Sequence, residues 1–516
     1  MGVRAADNEA CPMTNSRNKA LLLALCAATA ATTLSAVVPA AATAPGAGAP
    51  LPKLAWHPCA KPGGPATQEC ADLPVPLDYA NPHGPQITVA VSRVRSDRPE
   101  ARRGTLVVIP GGPGGSGVQR LTQKGAALQK QLAGAYDLVA FDPRGVGGST
   151  TASCGLAAGD RYLTSLRAWP APNGDISENV ARSERIAEAC ARNGGPVLRS
   201  FTTANEVADM DRLREALGER KISAWGVSYG TYVGAVYAQK HPERTDRWVL
   251  DSSGDPDPTR LARGWLANMG QGADDRFPDF AAWAAHPDRD RDGLRLAADP
   301  RDVEPQLLAL AASLDRAPQP STTPGVPLTG NGLRQAVQNA LYGDSAFPAL
   351  AKLLVSLRDP AATPVLPPEL AQPLRDEDAA QLVAVLCNDV AWPREGTAAG
   401  QRAVDEDRAR HPLTAGMPVN VLPCAYWKDA PEQKPTRITA NGPSDILMVQ
   451  SRRDPSTPHS KGLKMREALG DRAVLVTVEQ GGHGLYLGNG NACADRTVTT
   501  FLTTGRRPAH DTACAN

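Results

Sequence analysis

Six short apolar runs punctuate the chain: "TLVVIP" (Thr105 to Pro110), "YDLVAFDP" (Tyr136 to Pro143), "KISAWG" (Lys221 to Gly226), "RWVLDSS" (Arg247 to Ser253), "DILMVQS" (Asp445 to Ser451) and "RAVLVTVE" (Arg472 to Glu479). They are continuous rather than alternating, the pattern of strands covered on both faces, as parallel sheets require. Helical spacing fills much of the sequence between them. "TANEVADMDRLREALG" precedes the third run and stops at Gly218, a usual helix-ending residue, and "YGTYVGAVYAQKH" follows it as far as Pro242. Strand and helix in alternation predict an α/β fold with a mainly parallel central sheet. From about Asp255 to Thr436 the alternation fails: Ala/Leu-rich amphipathic segments such as "VEPQLLALAASLDRA" and "SAFPALAKLLVSLRDP" are separated by Pro-rich breaks. This interval, 255–436, reads as a mostly helical insertion between two core segments, 56–254 and 437–516. Such an insertion would sit over the C-terminal edge of the sheet, where open α/β folds bind ligands.

The beginning of the chain changes the compartment. Arg17 and Lys19 precede the apolar stretch "ALLLALCAATAATTLSAVV", and "PAAATA" supplies small residues for signal peptidase. Residues 1–42 read as a signal peptide cut after Ala42, with Ala40 and Ala42 in the small-residue positions. The polar residues 1–12 read as a start-site artefact ahead of Met13, and 43–55 as a linker. The rival reading is an uncleaved membrane anchor; Cys26, behind the bulky Leu25, is a poor lipid-attachment site. Loss of Cys11 and Cys26 with the leader leaves eight cysteines, an even number in an export context, which reads as four disulfides. Nearness along the chain favours Cys59 with Cys70, Cys154 with Cys190, Cys387 with Cys424 and Cys493 with Cys514. No pair has the two-residue spacing that zinc sites favour, and no cofactor motif is visible. Basic and acidic residues nearly cancel, 55 against 54, and runs such as "PDRDRDG" mix the signs. That balance argues against nucleic acid or an acidic membrane as partner, and no stable membrane association is expected once the leader is gone.

Candidate chemistry centres on "AWGVSYGTYVGAVYAQKHPE", where Ser228 stands between Gly226 and Gly230. A strand runs into Ser228 and a helix runs out, the strand-turn-helix of a nucleophile elbow; the bland alternative is a small serine packed in a helix-sheet crossing. An elbow needs an acid and a base after later strands, in the order Ser, Asp, His. Asp454 in "DILMVQSRRDPSTP" and His483 in "VLVTVEQGGHGLYLG" fill those places. His483 would relay the Ser228 proton, and Asp454 would fix its tautomer. Asp142 and Asp251 also end strands, but one precedes the serine and the other follows it too closely, so they read as turn-formers. For the oxyanion, the backbone N–H of Tyr229 and that of Gly112 in "IPGGPGGSG" are the expected donors, with Gly111 the near alternative. No Gly-Lys-Ser/Thr follows that loop, which excludes a phosphate cradle. "DRDRDGLRLAAD" places Asp288, Asp290, Asp292, Gly293 and Asp299 at calcium-loop spacing, but with Asp as final ligand and arginines interleaved it reads as a solvated charged loop.

Taken together, "IPGGPGGSG", "FDPRGVGGS", "GVSYGTYVGAVY", "QSRRD" and "GGHG" resemble the secreted tripeptidyl aminopeptidases of actinomycetes, within the prolyl-aminopeptidase-like α/β-hydrolase serine peptidases. The resemblance runs from about Trp56 to Cys514. It implies an α/β-hydrolase fold with a helical lid and a triad of Ser228, Asp454 and His483. It implies a secreted serine exopeptidase that releases tripeptides from free N-termini through an acyl-enzyme. "LCNDVAWP" and "LPCAYW" also look like this family and support pairing Cys387 with Cys424. Pro110 departs from the His-Gly-Gly-Pro-Gly of prolyl aminopeptidases, so single-residue proline specificity does not carry over. An aminopeptidase must read the substrate's α-ammonium with a carboxylate. Asp389, beside Cys387, is the first candidate and Glu206 the second; Glu206 and Asp209 otherwise read as first-turn helix charges or surface residues. Two other functions fit the same scaffold: a carboxylesterase or other acyl hydrolase, and a catalytically silent binding protein.

Overall fold

All six apolar runs form strands in the computed structural model, which describes residues 53–515 apart from 60, 61, 163–166, 260, 360 and 395. The expected signal peptide and most of the linker lie outside the described residues. In chain order the strands are β1 (His57–Pro58), β2 (Gln68–Pro76), β3 (Gln86–Val94), β4 (Gly104–Ile109), β5 (Tyr136–Phe141), β6 (Ile222–Val227), β7 (Thr245–Asp251), β8 (Ile446–Arg453), β9 (Ala473–Gly481) and β10 (Thr512–Cys514). They make one sheet in the order β1-β2-β3-β5-β4-β6-β7-β8-β9-β10. From β5 across to β10 every pairing is parallel, whereas β1, β2 and β3 join antiparallel at one side. A mostly parallel sheet flanked by helices, with an antiparallel strand pair at its start, is an α/β-hydrolase fold.

β2 and β3 escape the apolar-run criterion for a physical reason. Each has only one face in the core, with Leu73, Val75, Val89 and Val91 buried and the intervening positions polar or partly exposed. Pro74 and Pro76 further disguise β2, since proline deprives a ladder of a donor. β6 shows the opposite case: all six of its residues are buried, and the helix behind it, Tyr229–Lys240, is buried from Tyr229 through Ala238.

Between β7 and β8 the chain turns helical, and the helices divide between two hydrophobic clusters. Met269–Ala285, Val303–Arg316, Gly330–Ala340 and Phe347–Ser356 build a core of their own around Phe277, Phe280, Leu307, Leu333 and Phe347, in which Phe280 meets Phe347 edge-on at 5.3 Å. Helix Asp376–Asp389 instead contributes Ala380, Val383, Ala384 and Cys387 to the core beneath the sheet. Part of the insertion is thus continuous with the main core, and residues 49–516 cluster as one compact unit.

Four disulfides join Cys59 to Cys70, Cys154 to Cys190, Cys387 to Cys424 and Cys493 to Cys514. The acidic run 288–299 is answered by arginines, Asp290 pairing with Arg295 at 2.9 Å and Asp299 with Arg301 at 2.6 Å. Among the described residues no helix is long and apolar enough to cross a membrane.

Candidate active site

Ser228 leaves the end of β6 with φ +59°, a backbone conformation that a residue with a side chain adopts only under strain. The turn is held by its neighbours: Ser228 N–H donates to Asp251 C=O at 3.0 Å, and Ser228 C=O accepts from Thr231 N–H at 2.8 Å. Both flanking glycines are required by close approach. A Cβ on Gly226 would lie 2.4 Å from Gly230 O, and one on Gly230 would lie 2.5 Å from Pro110 O. The pattern therefore marks a true elbow that presents the hydroxyl at the C-terminal edge of the sheet.

β8 and β9 deliver the acid and the base. Asp454, 1 % exposed, follows β8, and its carboxylate faces His483 Nδ1 at 2.9 and 3.0 Å. The same carboxylate accepts from Ser456 N–H (2.9 Å), Thr457 N–H (2.8 Å) and the Thr457 hydroxyl (3.0 Å). Donation from Nδ1–H fixes the imidazole tautomer and leaves Nε2 free for a substrate or nucleophile proton. The loop carrying His483 is anchored from β7: Asp251, fully buried, accepts from Leu485 N–H (2.8 Å) and Tyr486 N–H (2.9 Å), and the Ser252 hydroxyl accepts from Gly484 N–H at 2.9 Å. Asp251 is thus more than a former of its own turn. Asp142 does a similar service beside the glycine loop, accepting from the Ser116 hydroxyl (2.6 Å) and the N–H groups of Val118 and Gly148 (both 3.0 Å).

Ser228, Tyr229, His483, Gly111 and Gly112 all line one cavity of about 710 Å³. Tyr229 opens the helix after Ser228, where backbone N–H groups have no intrahelical acceptor. The far wall comes from the insertion, with Leu261, Trp265, Leu382 and Leu386 apolar and Asp389 acidic. Asp389 caps the start of helix Thr203–Ala216, accepting from Thr203 N–H at 2.8 Å and from the Thr203 hydroxyl, which also meets the Tyr229 hydroxyl. Its surface is partly open to the cavity while its surroundings are protein. Burial pushes its carboxyl up to about 6, against the two Thr203 hydrogen bonds, which favour the anion.

Glu206 lies in the first turn of helix Thr203–Ala216, but in the interior rather than at the surface. It is 4 % exposed, does not line the cavity, and its Oε1 has no hydrogen-bond partner. Burial, then the nearby Asp209 and Asp389, drive its carboxyl well above the usual range. Asp209 is no surface charge either, since it grips Arg144 with both oxygens at 2.7 and 2.8 Å and accepts from Tyr79 OH at 2.7 Å. Two further residues on the cavity wall lie in no motif and carry no local signal. Tyr342 stacks edge-on against the His483 ring with centres 5.1 Å apart, and Arg167 bonds the Tyr342 hydroxyl at 3.1 Å.

Residues 411–514 match a family model described as TAP-like protein. The chain is 34% identical to a tripeptidyl aminopeptidase of Streptomyces lividans over 89% of its own length and 86% of that protein's. It is 29% identical to the serine protease Hip1 of Mycobacterium tuberculosis, over 89% of the chain and 90% of that protein. A carboxylesterase B of Mycobacterium tuberculosis is 30% identical over 92% of the chain and 93% of that protein.

Proposed function

The chain belongs to the tripeptidyl aminopeptidase family of serine exopeptidases on the α/β-hydrolase scaffold, and from that premise we propose that Ser228, His483 and Asp454 are its catalytic triad. Ser228 Oγ attacks the carbonyl of the third residue while His483 Nε2 takes its proton. Tyr229 N–H and Gly112 N–H receive the oxyanion. Collapse breaks the peptide bond, and His483 returns the proton to the departing amine. Water then attacks the acyl-enzyme, giving its proton to His483, and Ser228 leaves with that proton as the tripeptide acid is released. Asp454 steadies the imidazolium in both halves. The observation that carries this reading is the buried Asp454–His483 contact on the same cavity as a strained serine elbow.

Asp389 is proposed as the group that pairs with the substrate's α-ammonium. Its support is position, a carboxylate partly open to the Ser228 cavity and held in place by Thr203. A cavity of about 710 Å³ walled in part by insertion residues suits a ligand of a few residues. Export after cleavage at Ala42 completes the proposal; four disulfides fit an oxidising compartment. The carboxylesterase relative is the one observation that favours another acyl substrate. A fluorophosphonate should label one serine, and the label should vanish in Ser228→Ala. A free-amine hexapeptide should yield its first three residues as one fragment. Labelling without release of a tripeptide would favour the esterase, and labelling that survives Ser228→Ala would refute the assigned nucleophile.

A further inference from the structure

The cavity around Ser228 and His483 holds the carboxylate of Asp389 and the guanidinium of Arg167, and each has only neutral hydrogen-bond partners in the protein. Asp389 lines the same cavity as Ser228, bonded to Thr203, whose hydroxyl meets that of Tyr229. On the His483 side, Tyr342 C=O accepts from His483 N–H at 2.9 Å, and the Tyr342 hydroxyl accepts from Arg167 Nη2 at 3.1 Å. Arg167 is 7 % exposed and lines the cavity. Its Nη1 donates to Asn339 Oδ1 at 3.0 Å, and its Nε has no acceptor. Both partners are neutral. Among the described residues no carboxylate lies within ion-pair distance of it; Glu369, exposed on the same wall, accepts from Asn339 at 3.4 Å instead.

A guanidinium keeps its charge in proteins, and burying that charge without a counter-charge is costly unless a ligand completes it. Arg120 also lines the cavity, but its guanidinium lies 4.9 Å from the centre of the Trp225 ring and has the Asp251 carboxylate nearby. His483 gives its proton to the departing amine, so the leaving peptide occupies this side of the cavity. The Tyr342 ring lies 5.8 Å from the Arg167 guanidinium and 5.1 Å from the His483 ring, so the two are within about 11 Å of each other, the reach of about three extended residues.

We propose that Arg167 binds a carboxylate of the leaving peptide, foremost its C-terminus, so that the enzyme favours short zwitterionic peptides over long N-termini. The inference rests on the aminopeptidase reading above. Three hexapeptides with a common sequence test it: the free acid, the C-terminal amide, and an amide ending in Glu. The free acid should exceed the plain amide on the order of tenfold in kcat/KM, and Arg167→Gln should bring that ratio to within about twofold of one. Arg167→Lys should keep part of it. Because the ratio compares two substrates on one protein, a general loss of folding moves both alike. Acceleration of the Glu amide over the plain amide would extend the site to side-chain carboxylates, and its absence would confine the site to the C-terminus. Equal rates for acid and amide in the wild type, or a ratio that survives Arg167→Gln, would overturn the proposal. N-acetylation of the same peptides reports on the amine site alone, so its outcome separates failure of the aminopeptidase reading from failure of the Arg167 contact.

Discussion

Two acids share one buried environment beside the nucleophile, and their partners separate their roles. Asp389 has the Thr203 N–H and hydroxyl to stabilise its anion, whereas Glu206 has an orphan oxygen and feels Asp389 as a repelling charge. Asp389 therefore loses its proton first. If it reads the α-ammonium, the preference for free over acetylated tripeptides should fall as pH drops through about 6. It should fall again above about pH 8, where the substrate amine loses its charge. Taking the ratio of the two substrates cancels the pH dependence of the chemistry they share. Stability runs the other way. A carboxyl whose folded-state pKa is raised contributes stability that is fully present below its unfolded value and lost as pH rises through the folded one. Asp389→Asn should thus raise the Tm at pH 8 relative to wild type and leave it little changed at pH 4, while lowering kcat/KM on the free-amine substrate at pH 8. Glu206→Gln replaces a carboxyl whose anion is disfavoured by burial with its neutral isostere and should change kcat/KM less than about threefold. A loss as large as that of Asp389→Asn would mean that Glu206 is the ionised partner of the amine.

At the scale of elements, the end of β7 supports the base. Asp251 accepts from two backbone N–H groups of the His483 loop, and from Trp225 Nε1 at 3.3 Å. Asp251→Ala would strand these buried donors at a cost of about 1–3 kcal/mol each. The expected result is a lowered Tm and a kcat reduced on the order of a hundredfold with KM little changed, as the imidazole loses its fixed position. Cys387–Cys424 ties helix Asp376–Asp389 to the turn at Pro423–Tyr426, two residues from Asp389. Replacing both cysteines by alanine should cost about 2–4 kcal/mol in unfolding free energy.

These elements also mark what was legible in the sequence. The elbow, Asp454 and His483 stand at the ends of continuous apolar runs, so local pattern located them. Asp251 was equally visible, yet its partners are 234 and 235 residues further on, and no local pattern reports such a contact. The Thr203–Asp389 cap, 186 residues apart, and the burial of Glu206 and Arg167 were hidden for the same reason.

For the molecule as a whole, the proposed function requires an exported chain, a triad at the edge of the parallel sheet and a helical insertion that restricts the substrate to a free end. N-terminal sequencing of protein from the culture medium should begin at Thr43; a start upstream of the apolar leader would indicate a retained anchor. Recognition of a charged amine by an exopeptidase stands or falls on kcat/KM for a chromogenic tripeptide with a free N-terminus against its N-acetylated twin. Acetylation removes the ammonium and leaves a buried carboxylate unpaired, so the free peptide should react on the order of a hundredfold faster. Comparable rates for the two, with a simple p-nitrophenyl ester turned over faster than either, would rule out amine recognition and make the protein an esterase.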